Sequence, residues 1–206
     1  MDPYKPINYY VNTANAEVST TVADTKEAFK LLSEATGVQT SYKGTTNADP
    51  LDQSTWPFAA NVVIGWSDTP CGEDNESTGC TEILQGRLAV NEFNEQKFRI
   101  KKIGMELSTD ANYDDGNYTI SGFTSDLDTF DQPNGARSLG GTLVHELGHV
   151  AGLSHTFADY GRDEHQAMAP FVGDRYQRYN NGDLEGLYRV GRISGPLTDT
   201  GPIENY

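Results

Sequence analysis

The sequence predicts an α+β fold, and three observations carry that reading. Strand-like runs and one amphipathic helix alternate over the first third of the chain. Two longer strand-like runs follow one another near the middle, and a histidine-bearing helix comes late. At 206 residues, with no internal repeat and no long low-complexity linker, the chain suits a single domain. A domain of this length buries roughly 70% of its unfolded surface and needs no special stapling.

Taken in order, residues 6–12 read as a strand after a proline-bounded start. Residues 22–36 read as a helix, because Val22, Ala28, Phe29, Leu32 and Ala35 recur near a period of 3.6; Thr21 or Asp24 can cap it and Gly37 ends it. Residues 38–43 form another short strand. Asn61–Trp66 is a compact apolar run between polar turn residues, the pattern of a buried central strand. Residues 81–91 and 97–107 supply two more strands. Between 108 and 136 the chain is rich in Asp, Asn, Gly, Ser and Thr, which is loop chemistry. Its oxygens around Asp114, Asp115 and Asn117 also suit Ca2+, although no EF-hand spacing is present. A second helix begins near Arg137 or Ser138, with Leu139, Leu143, Leu147 and Val150 as its core stripe. A last helix spans about 182–190, packs Leu184, Leu187 and Tyr188, and has Asn181 as its cap. The Gly-, Pro- and Thr-bearing tail from Gly191 reads as poorly ordered.

Composition narrows the function. The formal charge of −15 argues against nucleic acid and anionic membrane surfaces, both of which reward clustered Lys and Arg. No apolar run reaches the ~18 residues of a membrane span. Cys71 and Cys80 are the chain's only cysteines and flank a polar loop that closes easily, which predicts a disulfide and an oxidising, extracellular setting. Met1–Pro6 has no apolar segment of a signal peptide, so a leader was removed or export takes another route.

The chemistry concentrates in His145-Glu146-Leu147-Gly148-His149-Val150-Ala151-Gly152-Leu153-Ser154-His155, which holds three of the chain's four histidines. This pattern arises by chance in about one chain in 10^5 of this composition, so each position merits a mechanical reading. Residues four apart share a helix face, so His145 and His149 can offer imidazoles to one ion. A catalytic zinc keeps three protein ligands and one open position. Gly152 can turn the chain without steric cost and bring His155 back as the third. Glu146 sits beside the ligands as a general base, able to take a proton from the attacking water and pass it to the leaving amine.

The elongated motif, followed 13 residues after its third histidine by Met168, resembles the metzincin zinc metallopeptidases. Thr156 after the third histidine, the Met168-Ala169-Pro170 turn and the Asn181–Tyr188 segment are similar to the matrixin group, of a bacterial or minimal type. The resemblance implies a metzincin-type catalytic domain over 1–206, with a twisted mixed β-sheet, an active-site helix and a C-terminal helix. Its upper subdomain would span about 1–152, its lower about 153–190, and a flexible tail about 191–206. It also implies a secreted, monomeric zinc endopeptidase acting on a protein or peptide. One Zn2+ would be held by His145, His149 and His155, with Glu146 as base, and Met168 and Pro170 forming a structural turn below. Phe171 and Val172 would shape an apolar S1′ pocket, and an edge strand within 81–91 would bind substrate antiparallel. The chain departs from vertebrate matrixins in several ways. It shows no cysteine-switch propeptide, it adds the two-cysteine loop, and it lacks the histidines of a structural zinc, since His165 alone lies outside the motif and reads as a surface residue.

Two rival readings stay in view. His155 could be incidental, with Glu164 or Glu185 as third ligand, although Gly152 placed three residues before His155 weighs against this. The chain could also be a catalytically silent, zinc-stabilised surface or virion binding module, against which the intact Glu146 weighs.

Overall fold

The computed structural model describes residues 5–72, 78–91, 93–109, 113–114, 119–120, 122–124, 137–156, 166–169, 178–190 and 198–205. The strands are β1 (Ile7–Val11), β2 (Thr40–Thr45), β3 (Val62–Ser67), β4 (Gly79–Val90) and β5 (Gln96–Ser108), then the two-residue strands β6 (Tyr113–Asp114), β7 (Thr119–Ile120), β8 (Phe123–Thr124) and β9 (Arg137–Ser138), and finally β10 (Thr198–Asn205). The helices are α1 (Thr21–Thr36), α2 (Leu139–Ala151) and α3 (Asn181–Val190). Six strands form one mixed sheet in the order β10-β4-β5-β3-β1-β2. Pairing is parallel among β2, β1, β3 and β5, and antiparallel from β5 through β4 to β10. This is the expected α+β arrangement.

The apolar run of β3 explains its central place. Val62 and Ile64 face one core cluster with residues of α1 and α2, while Val63 faces a second cluster of Ala48, Trp56, Ala60 and Leu84 on the opposite side. A strand buried on both faces cannot alternate polar and apolar residues. Phe29 of α1 stacks on Tyr9 of β1 with ring centroids 3.7 Å apart, which ties helix to sheet. Such a pair contributes roughly 0.5–1.5 kcal/mol beyond the area it buries. Burial, then the neighbouring Tyr42, raises the Tyr9 hydroxyl pKa to about 12.

Helix ends follow local chemistry. Gly37 takes a left-handed φ of 74° and its N–H caps Ser33 O, as expected. At the other end of α1, Thr20 is the cap residue, and its hydroxyl donates to Asp24 Oδ2 at 2.8 Å instead of accepting from the backbone. The expected caps Thr21 and Asp24 thus lie inside the helix. Ser138 caps α2 in full, its Oγ accepting the Gly141 N–H at 3.0 Å.

Three expectations meet different outcomes. Cys71 and Cys80 are bonded, with Cα atoms 5.9 Å apart, pinning the start of β4 to the 3-10 turn Pro70–Gly72. Glu106 of β5 accepts the Cys71 N–H at 2.8 Å, and burial pushes its carboxyl pKa up. On α3, Leu187 is buried, but Leu184 and Tyr188 point outward at 39% and 53% exposure. The other buried residue of α3 is Asp183. The expected flexible tail is in part a strand: β10 pairs with β4 from Val90 to Gln85. Its Gly and Pro fall at an irregularity between Asp199 and Ile203, where an edge strand tolerates them. Asp199, not apolar burial, fastens it, through Arg87, Arg99 and Lys101. The expected calcium loop lies mostly outside the described residues. No helix among the described residues is long and apolar enough to cross a membrane.

Candidate metal centre

The motif helix α2 lies within the core. Leu139, Leu143, Leu147 and Val150 are fully buried, and this anchors the face that carries the histidines. Gly148 lies where a Cβ would collide with Met168 Sδ, so the methionine packs directly against the helix backbone between the two histidines. Gly152 ends the helix with φ 101°, its N–H and that of Leu153 capping carbonyls of the last turn. That left-handed residue reverses the chain and returns His155 to the helix.

His145, His149 and His155 consequently face one another, with all three ligating atoms within 4.8 Å of one another. Ring centroids are 4.8, 5.1 and 4.9 Å apart, a nearly equilateral triangle. His145 is buried, His149 half-buried and His155 exposed, so the cluster opens to solvent on one side. Ala167 O lies 2.7 Å from His145 Nδ1, and Leu153 O lies 2.8 Å from His149 Nδ1. A carbonyl only accepts, so each Nδ1 is the donor, and Nε2 is the atom each ring could offer to an ion. His145 Nε2 and His155 Nε2 are 3.1 Å apart. Nitrogens bound to one tetrahedral zinc at about 2.0–2.1 Å stand about 3.3 Å from each other, so the His145–His155 pair is at the spacing that ion needs.

The turn at 166–169 is held from α3. Asp183, 1% exposed, accepts the Ala167 N–H at 2.9 Å, the Met168 N–H at 3.2 Å and the Asn180 N–H at 2.9 Å. The same turn presents Ala167 O to His145, and Met168 O accepts the Thr156 N–H at 3.0 Å beside His155. Tyr179 donates its hydroxyl to Val144 O at 2.8 Å, and burial raises its pKa well above that of free tyrosine. The sequence shows Asp183 only as part of a resemblance; nothing in its spacing says it clamps the turn.

Glu146 is 3% exposed, and its Oε2 accepts the Thr81 hydroxyl of β4 at 2.7 Å. Thr81 was missed by sequence reading because a strand threonine carries no signal of its partner 65 residues away. That contact places the Glu146 carboxylate at the level of Thr81 on β4. Beyond Thr81, residues through Leu84 have no strand paired on their outer side among the described residues. Glu185, the rival ligand, is exposed and paired with Arg189 at 2.7 Å on α3. Pro170, Phe171, Val172, Glu164 and His165 lie outside the described residues.

No protein-family model matches the sequence, and neither does any curated protein. Among solved structures, the chain is similar to archaemetzincin from Methanopyrus kandleri, at 13% identity over 91% of this chain and 96% of that one, with a TM-score of 0.49. It is also similar to metalloproteinase-II from Bacteroides fragilis, at 13% identity over 93% of this chain and 55% of that one, with a TM-score of 0.45. The case for chemistry rests on the histidines and their neighbours.

Proposed function

We propose that the chain is a zinc-dependent endopeptidase of the metzincin kind, matrixin-like in its turn sequence and secreted. The observation that supports this best is the meeting of three imidazoles with a buried glutamate at an open stretch of sheet edge. His145, His149 and His155 would hold the ion, and Met168 would pack beneath it. Zinc so held supplies Lewis acidity, polarising the scissile carbonyl and making water more acidic.

The remaining steps belong to the chain's own residues. An extended peptide adds to the outer edge of β4 along Thr81–Leu84, antiparallel to the strand, using main-chain hydrogen bonds for affinity. That brings a peptide bond to the level of Glu146. The Glu146 carboxylate, oriented by Thr81, accepts the proton of the attacking water and returns it to the departing amine nitrogen. Phe171 and Val172 are the proposed walls of an apolar S1′ pocket, which favours cleavage before a bulky apolar residue.

A peptide library incubated with the zinc-loaded protein, with and without chelator, tests the reading. Chelator-reversible cleavage before apolar residues supports it. His155→Ala should lower zinc affinity by orders of magnitude; unchanged affinity would return the third-ligand role to a carboxylate.

A further inference from the structure

The open edge of β4 is short because the chain fills the rest of it. β10 pairs antiparallel to β4, with Thr198 opposite Val90 and Asn205 opposite Gln85. Since β4 begins beside Glu146 and runs away from it, β10 runs toward the histidines. A substrate antiparallel to β4 has that same direction. It would therefore lie head to tail with β10, its N-terminal side meeting Asn205. The junction is built: Gln85 Nε2 donates to Asn205 Oδ1 at 3.1 Å, and Gln53 Nε2 reaches the same oxygen at 3.4 Å. Farther back, Asp199 is gripped by Arg99 at 2.5 Å, Lys101 at 3.1 Å and Arg87 at 3.3 Å. Arg87 Nε also donates to Gly201 O at 2.6 Å, securing the irregular turn of the strand.

We infer that β10 is a specificity element that occupies the far half of the peptide-binding edge and limits the enzyme to about four residues ahead of the scissile bond. Thr81 marks the level of the reacting bond, and Leu84, at an irregularity of the β4–β5 register, is the last position before β10 that no strand among the described residues covers. Peptide residues beyond that stretch meet a strand already in place and must leave the sheet. The inference rests on the peptidase reading and on substrate adding to this edge.

The test is a series of peptides with one scissile bond, a constant C-terminal half and from one to about eight residues ahead of the bond. For the native zinc-loaded chain, kcat/KM rises by roughly threefold per residue, the scale of one net main-chain hydrogen bond, up to about the fourth residue and then levels. In Asp199→Lys, where a fourth cation replaces the anchoring carboxylate, the rise continues into the longer peptides. Hydrogen exchange at 85–90, slow in the native chain and fast in the variant, ties the change to release of β10. A native profile that climbs steadily through the longest peptides overturns the inference, whether or not the variant folds. So do superimposed profiles when exchange shows β10 released. Absence of zinc-dependent cleavage of every peptide would instead overturn the peptidase reading beneath it.

Discussion

The hydroxyl of Thr81 donates to Glu146 Oε2 across 2.7 Å, joining an edge strand to the residue that follows the first histidine of the motif. The Glu146 carboxylate is thereby held by the strand whose open edge is the proposed peptide site. Thr81→Val removes the donor at nearly constant volume. A hydrogen bond to a charged group contributes about 1.5–3 kcal/mol, so kcat should fall roughly tenfold to a hundredfold. KM and zinc content should change little, and Thr81→Ser should recover most of the loss. If Ser is as slow as Val, the hydroxyl is not what orients Glu146.

Asp183 holds the 166–169 turn as Thr81 holds the Glu146 carboxylate. Its carboxylate accepts three backbone N–H groups from 167, 168 and 180 while 1% exposed. Asp183→Ala leaves the buried Ala167 and Met168 N–H groups without it, at about 1–3 kcal/mol each. At about 2–4 °C per kcal/mol for a chain of this size, Tm should drop by on the order of 10 °C. Zinc affinity should drop with it, because Ala167 O orients His145. A variant with native Tm and native zinc affinity would refute the clamp.

How much of this was legible beforehand depended on where the signal lay. The meeting of the three histidines was legible because a helix puts residues four apart on one face and Gly152 returns the third. β3 and the α2 stripe were legible because apolar periodicity reports burial directly. β10 was not, since its pairing depends on the ions around Asp199, and a Thr-Asp-Thr-Gly-Pro stretch resembles a loop. Leu184 and Tyr188 misled for the converse reason: periodicity names apolar positions, but on α3 the buried face is used by Asp183 and Leu187.

The attachment of β10 should depend on pH with a definite sign. Burial works against ionised Asp199, but the hydrogen bond from Lys101 and the charges of Arg99, Lys101 and Arg87 outweigh it and hold its pKa below the ordinary value. A carboxyl depressed on pairing stabilises the paired form fully above its unfolded pKa of about 3.9 and loses that contribution as pH falls through the lower, paired value. Hydrogen exchange at 85–90 should therefore stay slow down to about pH 4 and accelerate, beyond its intrinsic pH trend, below it. Asp199→Asn should abolish that acid-linked step. The same step in the Asn variant would place its origin elsewhere.

Whether three histidines hold zinc while Glu146 transfers the proton is decided by one paired measurement. Zinc content and peptide hydrolysis are determined side by side for the native chain and for Glu146→Ala. One zinc per chain is expected in both proteins, with hydrolysis reduced by at least about a hundredfold in the variant. Equal hydrolysis by the two proteins, or a native chain that retains no zinc, would contradict it.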